Sequence, residues 1–179
     1  GKYHVAPESV FHFQEVMEAN QRNPIAMADS CVDFIEKNQD HPFFLYFCTA
    51  DPHRSAPVDD AQLAPDAFGN TPGGHEGVEE TQYTTEDVIV PPYLPESKAC
   101  REELAQYYQS VARVDYGVGR LFSHLKEAGV WDNTLIIYIS DNGIAFAGAK
   151  TTLYQPGINL PCLIKNPGGE NAGLVSDAM

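Results

Sequence analysis

The sequence predicts an α/β domain whose largely parallel sheet is covered by helices. Three observations predict it. Two apolar runs, residues 43–49 and 134–139, are rich in aromatic and β-branched side chains and read as strands buried on both faces. Two stretches, 23–38 and 101–128, repeat apolar residues at helical spacing. The order helix, strand, long loop, helix, strand, loop, strand is that of α/β units.

Each element has a local reason. Residues 1–12 are polar and aromatic without a period. Within them Lys2 and His4 stand one residue apart, on one side of the chain if it is extended. Such a pair can hold an anion or move a proton, or simply be a solvated terminus. Asn23-Pro24 opens a helix, with Asn as cap and Pro at the first helical position. Ile25, Ala28, Val32 and Ile35 mark its inner face to about Asn38, and Asp40-His41-Pro42 breaks it. The strand over 43–49 runs into Ala50-Asp51-Pro52-His53-Arg54. Residues 55–99 form a long insertion rich in Pro, Gly and acids, the composition of a lid, a binding wall or a disordered loop.

The longest helix is expected over 101–128, with Leu104, Tyr108, Val111, Val114 or Asp115, Val118, Leu121 and Leu125 along its apolar stripe. Asp115, on or beside that stripe, reads as a structural hydrogen-bonding group. Gly117 and Gly119 read as points of close helix-to-sheet contact, and Gly129 as the C-terminal cap residue. The strand over 134–139 ends in Ser140-Asp141-Asn142-Gly143. A loop of small residues over 143–157 carries one cation, Lys150. A third strand over 160–164 is placed near a sheet edge by Pro161.

Composition narrows the function classes. At 179 residues with 43% hydrophobic and 11% aromatic content, the chain can build a good core. Its net charge of −14 argues against nucleic acid as a partner, because phosphates would meet little neutralising surface. Any anionic substrate must find a locally positive pocket. The four cysteines form no C-x-x-C pair, so a zinc site is not expected and Cys31 and Cys48 read as buried free thiols. No run is long and apolar enough to span a membrane.

The chemistry gathers where elements begin or end. Asp141 and Asn142, side by side at the carboxyl end of a strand, offer oxygen to a hard cation such as calcium or magnesium. The same residues also make a plain turn. His53 stands just past the end of the other strand. With Lys2, His4, Arg54 and Lys150, these residues supply what a tetrahedral oxyanion beside a metal requires: oxygen ligands, cations and a histidine able to give a proton.

Gly1-Lys2-Tyr3-His4-Val5, Asp51-Pro52-His53-Arg54 and Ser140-Asp141-Asn142-Gly143 with Lys150 resemble, in that order, the later active-site segments of formylglycine-dependent sulfatases of the alkaline phosphatase superfamily. The stretches GKYHVAPESVFHF, PFFLYFCTADPHR, VPPYLP and DNGIAFAGAKTTLYQPG carry the likeness over nearly the whole chain, and it is nearest to the sulfamidases and their bacterial relatives. The resemblance implies an alkaline phosphatase-like fold, present as part of a domain. It makes residues 1–179 the C-terminal portion of a sulfatase catalytic domain, with 55–99 inserted. It implies that Asp141 and Asn142 bind calcium, and that Lys2 and Lys150 contact the sulfate and balance its charge. His4 would hold or deprotonate the formylglycine diol, and His53 would bind sulfate and protonate the leaving group. The substrate implied is a sulfated saccharide, and the compartment one reached by export or the lysosome.

Two departures matter. Sulfamidases carry Arg where this chain has Lys150, and Lys and Arg bind oxyanions with different geometry. That position favours a sulfatase of general type. No cysteine or serine here is followed by x-Pro-x-Arg, so the formylglycine nucleophile and two further metal-binding aspartates are expected upstream. The chain alone is therefore expected not to turn over sulfate. The alternatives are a phosphodiesterase or phosphonate hydrolase of the same superfamily, and a non-catalytic module that binds sulfated sugar.

Overall fold

The computed structural model describes residues 7, 9–10, 12–54, 66–169 and 172–176. Two compact units divide the chain, Gly1–His124 and Leu125–Met179.

In the first unit, α1 (Pro24–Asp29) begins as the sequence dictates. The Asn23 side chain accepts from the Ala26 N–H, and Pro24 sits in the first turn where no donor is needed. The single helix expected to Asn38 is two, because α2 (Val32–Lys37) starts afresh after Ser30 and Cys31. At that point the Ser30 hydroxyl and Cys31 thiol both donate to the Met27 carbonyl, and the Cys31 N–H bonds Ala28 in a tighter turn. Short polar side chains that capture nearby carbonyls compete with helix continuation. Ala28, Cys31 and Ile35 are buried, as expected, and Cys31 is a free thiol whose pKa burial pushes up.

Residues 43–49 are extended but join no strand ladder among the described residues. Their burial alternates: Phe44 is 74% exposed and Tyr46 48%, while Phe43, Leu45 and Phe47 are half-buried. The expectation of a strand covered on both faces fails for the described residues. On one face Phe43 meets Phe34 edge-on at 5.6 Å, and on the other Tyr46 stacks on Phe13 at 5.9 Å while remaining exposed. The Asp51–Pro52 peptide bond that follows is cis.

Residues 66–97 form no helix or strand, yet Phe68, Val88 and Leu94 are buried. This part of the long insertion packs on α3 (Lys98–Glu127). Phe68 meets Tyr107 edge-on, Tyr83 meets Tyr108, and Arg101 donates to the Thr85 and Val88 carbonyls. The buried stripe of α3 includes Leu104, Val114, Leu121 and Leu125 as expected, while Val111 and Asp115 face solvent. Ser110, Arg113 and His124 take buried positions on it instead. Gly117 is a close contact, but with a helix rather than a sheet: a Cβ there would overlap Pro24 of α1. Gly119 faces open space.

In the second unit, Gly129 (φ +72°) closes α3. Its N–H bonds the Lys126 carbonyl and that of Val130 bonds Leu125, a Schellman pair that only a left-handed residue permits. A one-turn 3₁₀ helix, Trp131–Asn133, leads to β1 (Ile136–Ile139). The Lys126 and Lys165 ammonium groups each stand 4.7 Å from the Trp131 ring centroid, and Lys165 also donates to the Trp131 and Thr134 carbonyls.

The expected parallel arrangement is not what the described residues form. Their one sheet is a two-stranded antiparallel ribbon of β1 and β2 (Cys162–Lys165), with Ile136 opposite Lys165 and Ile139 opposite Cys162. The connection between them, residues 140–161, holds only the short α4 (Gln155–Ile158). β1 is correspondingly not buried on both faces: Ile137 is 57% and Ile139 63% exposed.

Candidate functional site

The candidate residues fall in three places. Lys2 and His4 lie outside the described residues. His53 and Arg54 belong to the first unit, and Asp141, Asn142 and Lys150 to the second.

In the first unit the tetrapeptide Asp51-Pro52-His53-Arg54 is held at the Asp51 carboxylate, at the His53 backbone and at the Arg54 guanidinium. Asp51 is buried, and both its carboxylate oxygens are taken: Oδ1 by Arg22 at 2.5 Å and Oδ2 by Arg113 at 2.7 Å. The second nitrogen of the Arg22 fork donates to the His53 carbonyl at 3.0 Å. The His53 N–H donates to Ala50 at 2.9 Å. Arg54 forks onto Glu103, with both N–H···O distances 2.7 Å, and its guanidinium lies over the Phe68 ring. The His53 side chain itself is exposed. A backbone held on both sides with an imidazole turned outward is a geometry for presenting a proton donor or anion ligand.

The charge beneath is organised by Arg113, which is 1% exposed. Its N–H groups reach Asp51, Asn70, both Glu80 oxygens, the Phe68 carbonyl and the Ser110 hydroxyl. Among the described residues every buried side-chain polar atom has a partner. Burial pushes the Asp51 carboxyl up, against the pull of Arg113 and Arg22. The Arg54 fork holds Glu103 below its ordinary value. Sequence reasoning missed Arg22, Glu80 and Arg113. For Arg113 the available signal was spacing, since Ser110, Arg113, Gly117 and Leu121 follow one face of α3.

In the second unit β1 delivers the chain into Ser140–Gly143 as the sequence suggests. The Ser140 hydroxyl donates to the Asn142 carbonyl, and the Asn142 amide nitrogen donates to Gly143. That orientation assigns Asn142 Oδ1 as its acceptor end. Asp141 is exposed and Asn142 half-buried. Gly143 is needed, for a reason other than turning: a Cβ would overlap the Pro156 carbonyl, so the loop closes against this point. The loop returns Lys150 to the same neighbourhood, its N–H bonded to the Ile144 carbonyl at 3.0 Å and Ala149 fully buried beside it. Asp141, Asn142 and Lys150 thus share one closed loop. The donor set, a carboxylate and an amide oxygen, suits a hard cation. Among the described residues no three His, Cys, Asp or Glu side chains cluster as a metal site.

Known proteins are similar to the chain along nearly all of it. The family model described as Sulfatase matches residues 6–178. The N-sulphoglucosamine sulphohydrolase of Homo sapiens is 35% identical over 180 residues, covering 93% of this chain and 36% of that protein. An ulvan-active sulfatase of Formosa agariphila is 28% identical, covering 73% of this chain and 25% of its own length. The chain therefore spans between a quarter and about a third of these curated relatives. The solved structure of yidJ from Bacteroides fragilis superposes with a TM-score of 0.52 at 22% identity, covering 82% of this chain and 31% of that one. That likeness shows a shared fold with that structure, although the ribbon is the only sheet the described residues build.

Proposed function

This chain belongs to the sulfatase family, and we propose that it is the C-terminal portion of a catalytic domain that hydrolyses sulfate esters or N-sulfates on saccharides. The observation that carries the reading is the family match over residues 6–178, which takes in His53, Asp141, Asn142 and Lys150. The similarity to a sulphohydrolase of N-sulphoglucosamine and to an ulvan-active sulfatase supports a sulfated sugar as substrate. In the whole protein the strand pair would extend into a largely parallel sheet, with helices covering the exposed face of Ile137.

The net reaction adds one water across an S–O or S–N bond. Sulfur gains the oxygen, and the departing sugar oxygen or nitrogen gains a proton. His53, presented outward on a fixed backbone, is the group assigned to give that proton and to bind sulfate. Lys150 balances sulfate charge, as would Lys2, and His4 would serve the nucleophile. Lys2 and His4 rest on the resemblance alone. Asp141 and Asn142 would hold a divalent cation, calcium in preference to magnesium, which when bound supplies positive charge for the sulfate oxygens.

The test is sulfate release by the full-length protein from N-sulfated and O-sulfated glucosamine. Release that chelation removes and calcium restores, and that Asp141→Ala or Asn142→Ala abolishes, is the expected result. A full-length protein with its nucleophile processed that releases no sulfate from either sugar would end the proposal.

A further inference from the structure

We infer that Arg22 is a positioning residue for the His53 imidazole, backed by Arg113 through the Asp51 carboxylate they share. The inference rests on the role proposed above for His53. It goes beyond that role because Arg22 lies 31 positions away in sequence, ahead of α1.

One fork does two jobs. Arg22 NH1 grips Asp51 and NH2 grips the carbonyl of His53 itself, so the planar guanidinium ties the buried anchor to the histidine's own peptide group. Arg113 takes the other oxygen of the same carboxylate from inside the core. Asp51 therefore cannot rotate to follow a displaced Arg22, and the constraint on the His53 carbonyl is set by the core of the unit. The segment leading into Arg22 is fixed to the same region, because the Gln21 carbonyl accepts from the Ala50 N–H. Gly69 completes the arrangement. With φ at +77° and no Cβ, it leaves the space the Arg22 side chain fills, where a Cβ would overlap it. Arg113 also bonds the neighbouring Phe68 carbonyl, so the wall on which Arg22 lies and the carboxylate it grips have a common support.

A lax His53 would damage proton delivery to a poor leaving group far more than to a good one. That bias separates positioning from general loss of structure. The experiment measures kcat of the full-length enzyme on a sugar sulfate and on 4-nitrophenyl sulfate, for Arg22→Gln, Arg22→Lys and His53→Ala. His53→Ala is expected to lower kcat on the sugar by about a hundredfold or more, with a much smaller loss on the aryl ester. Arg22→Gln should show the same bias with about a tenfold loss on the sugar. Arg22→Lys, which keeps the charge beside Asp51 but gives up the fork, should fall between. If Arg22→Gln does not fold, Arg22→Lys decides on the same pair of substrates. Equal losses on both substrates, or no loss, would overturn the positioning role while the His53 reading stands. An unimpaired His53→Ala would overturn the reading beneath it.

Discussion

The two units hold their candidate residues by opposite means. Around His53 the anchors are side chains: one buried carboxylate, two guanidiniums and a bidentate Arg54–Glu103 pair. Around Asp141, Asn142 and Lys150 the anchors lie within a short loop: backbone hydrogen bonds, Ser140 and Asn142 side chains bonded to nearby carbonyls, and glycines where main chain meets main chain. A buried charge network is satisfied as a whole or not at all, so it tolerates loss of a member poorly. A backbone-closed loop tolerates side-chain change but not added volume. The histidine should therefore be sensitive to distant charges, and Asp141 and Asn142 to a nearby methyl group.

The strongest way to break this comparison is Arg113→Met. It leaves Asp51 and Glu80 without their common partner, and the expected cost is about 3–5 kcal/mol in urea unfolding. A cost under about 1 kcal/mol would show the network is not the anchor described. Gly143→Ala comes next, because the new methyl group meets the Pro156 carbonyl and the backbone must shift. The expected loss is about 1–3 kcal/mol, with weaker calcium binding measured by calorimetry. Gly119→Ala sharpens the contrast from the other side. Its Cβ meets nothing, so it should stabilise the helix by roughly 0.5–1 kcal/mol, whereas Gly117→Ala, two residues away, should destabilise.

The smallest effect is in pH. Glu103 is held low by Arg54, and Asp29 is held low because bonds from Arg120 and His124 overcome the upward push of burial. A carboxyl depressed in the folded state stabilises fully above its unfolded value and loses that contribution as pH falls through the folded one. Thermal stability should therefore drop below about pH 4, with less than about 1 kcal/mol from each of these partly exposed pairs. Arg54→Met should flatten the Glu103 part of that fall. An unchanged acid limb in that variant would remove the pair from the account.

Much of the local structure was legible because its causes are local. The Asn23-Pro24 start, the Gly129 stop, the long insertion before α3 and the polar ends of both extended segments follow from capping, φ preference and periodicity. The break at Ser30 and Cys31 was not legible, because it depends on which carbonyl two small side chains reach. The buried role of Arg113 was not legible either. An arginine on a helix stripe reads as an edge residue until partners from positions 51, 70 and 80 are brought to it. Nor did the sequence give the pairing of β1. Apolar runs announce burial, but which segment lies beside β1, and in which direction, is decided by pairing between segments distant in the chain.

By itself the amino-acid sequence determined the Asn23-Pro24 start of the first helix, the Gly129 stop of the longest one, and the family whose motifs it carries. Those properties depend on neighbours within a few positions or on short motifs read in order. Tertiary structure alone decided that Asp51 would be gripped from both sides, that Arg22 would reach the carbonyl of His53, and that Gly143 would serve contact rather than turning. Each of these joins segments far apart in the chain. Only folding, by burying their charges or closing their backbones together, makes one partner more favourable than water.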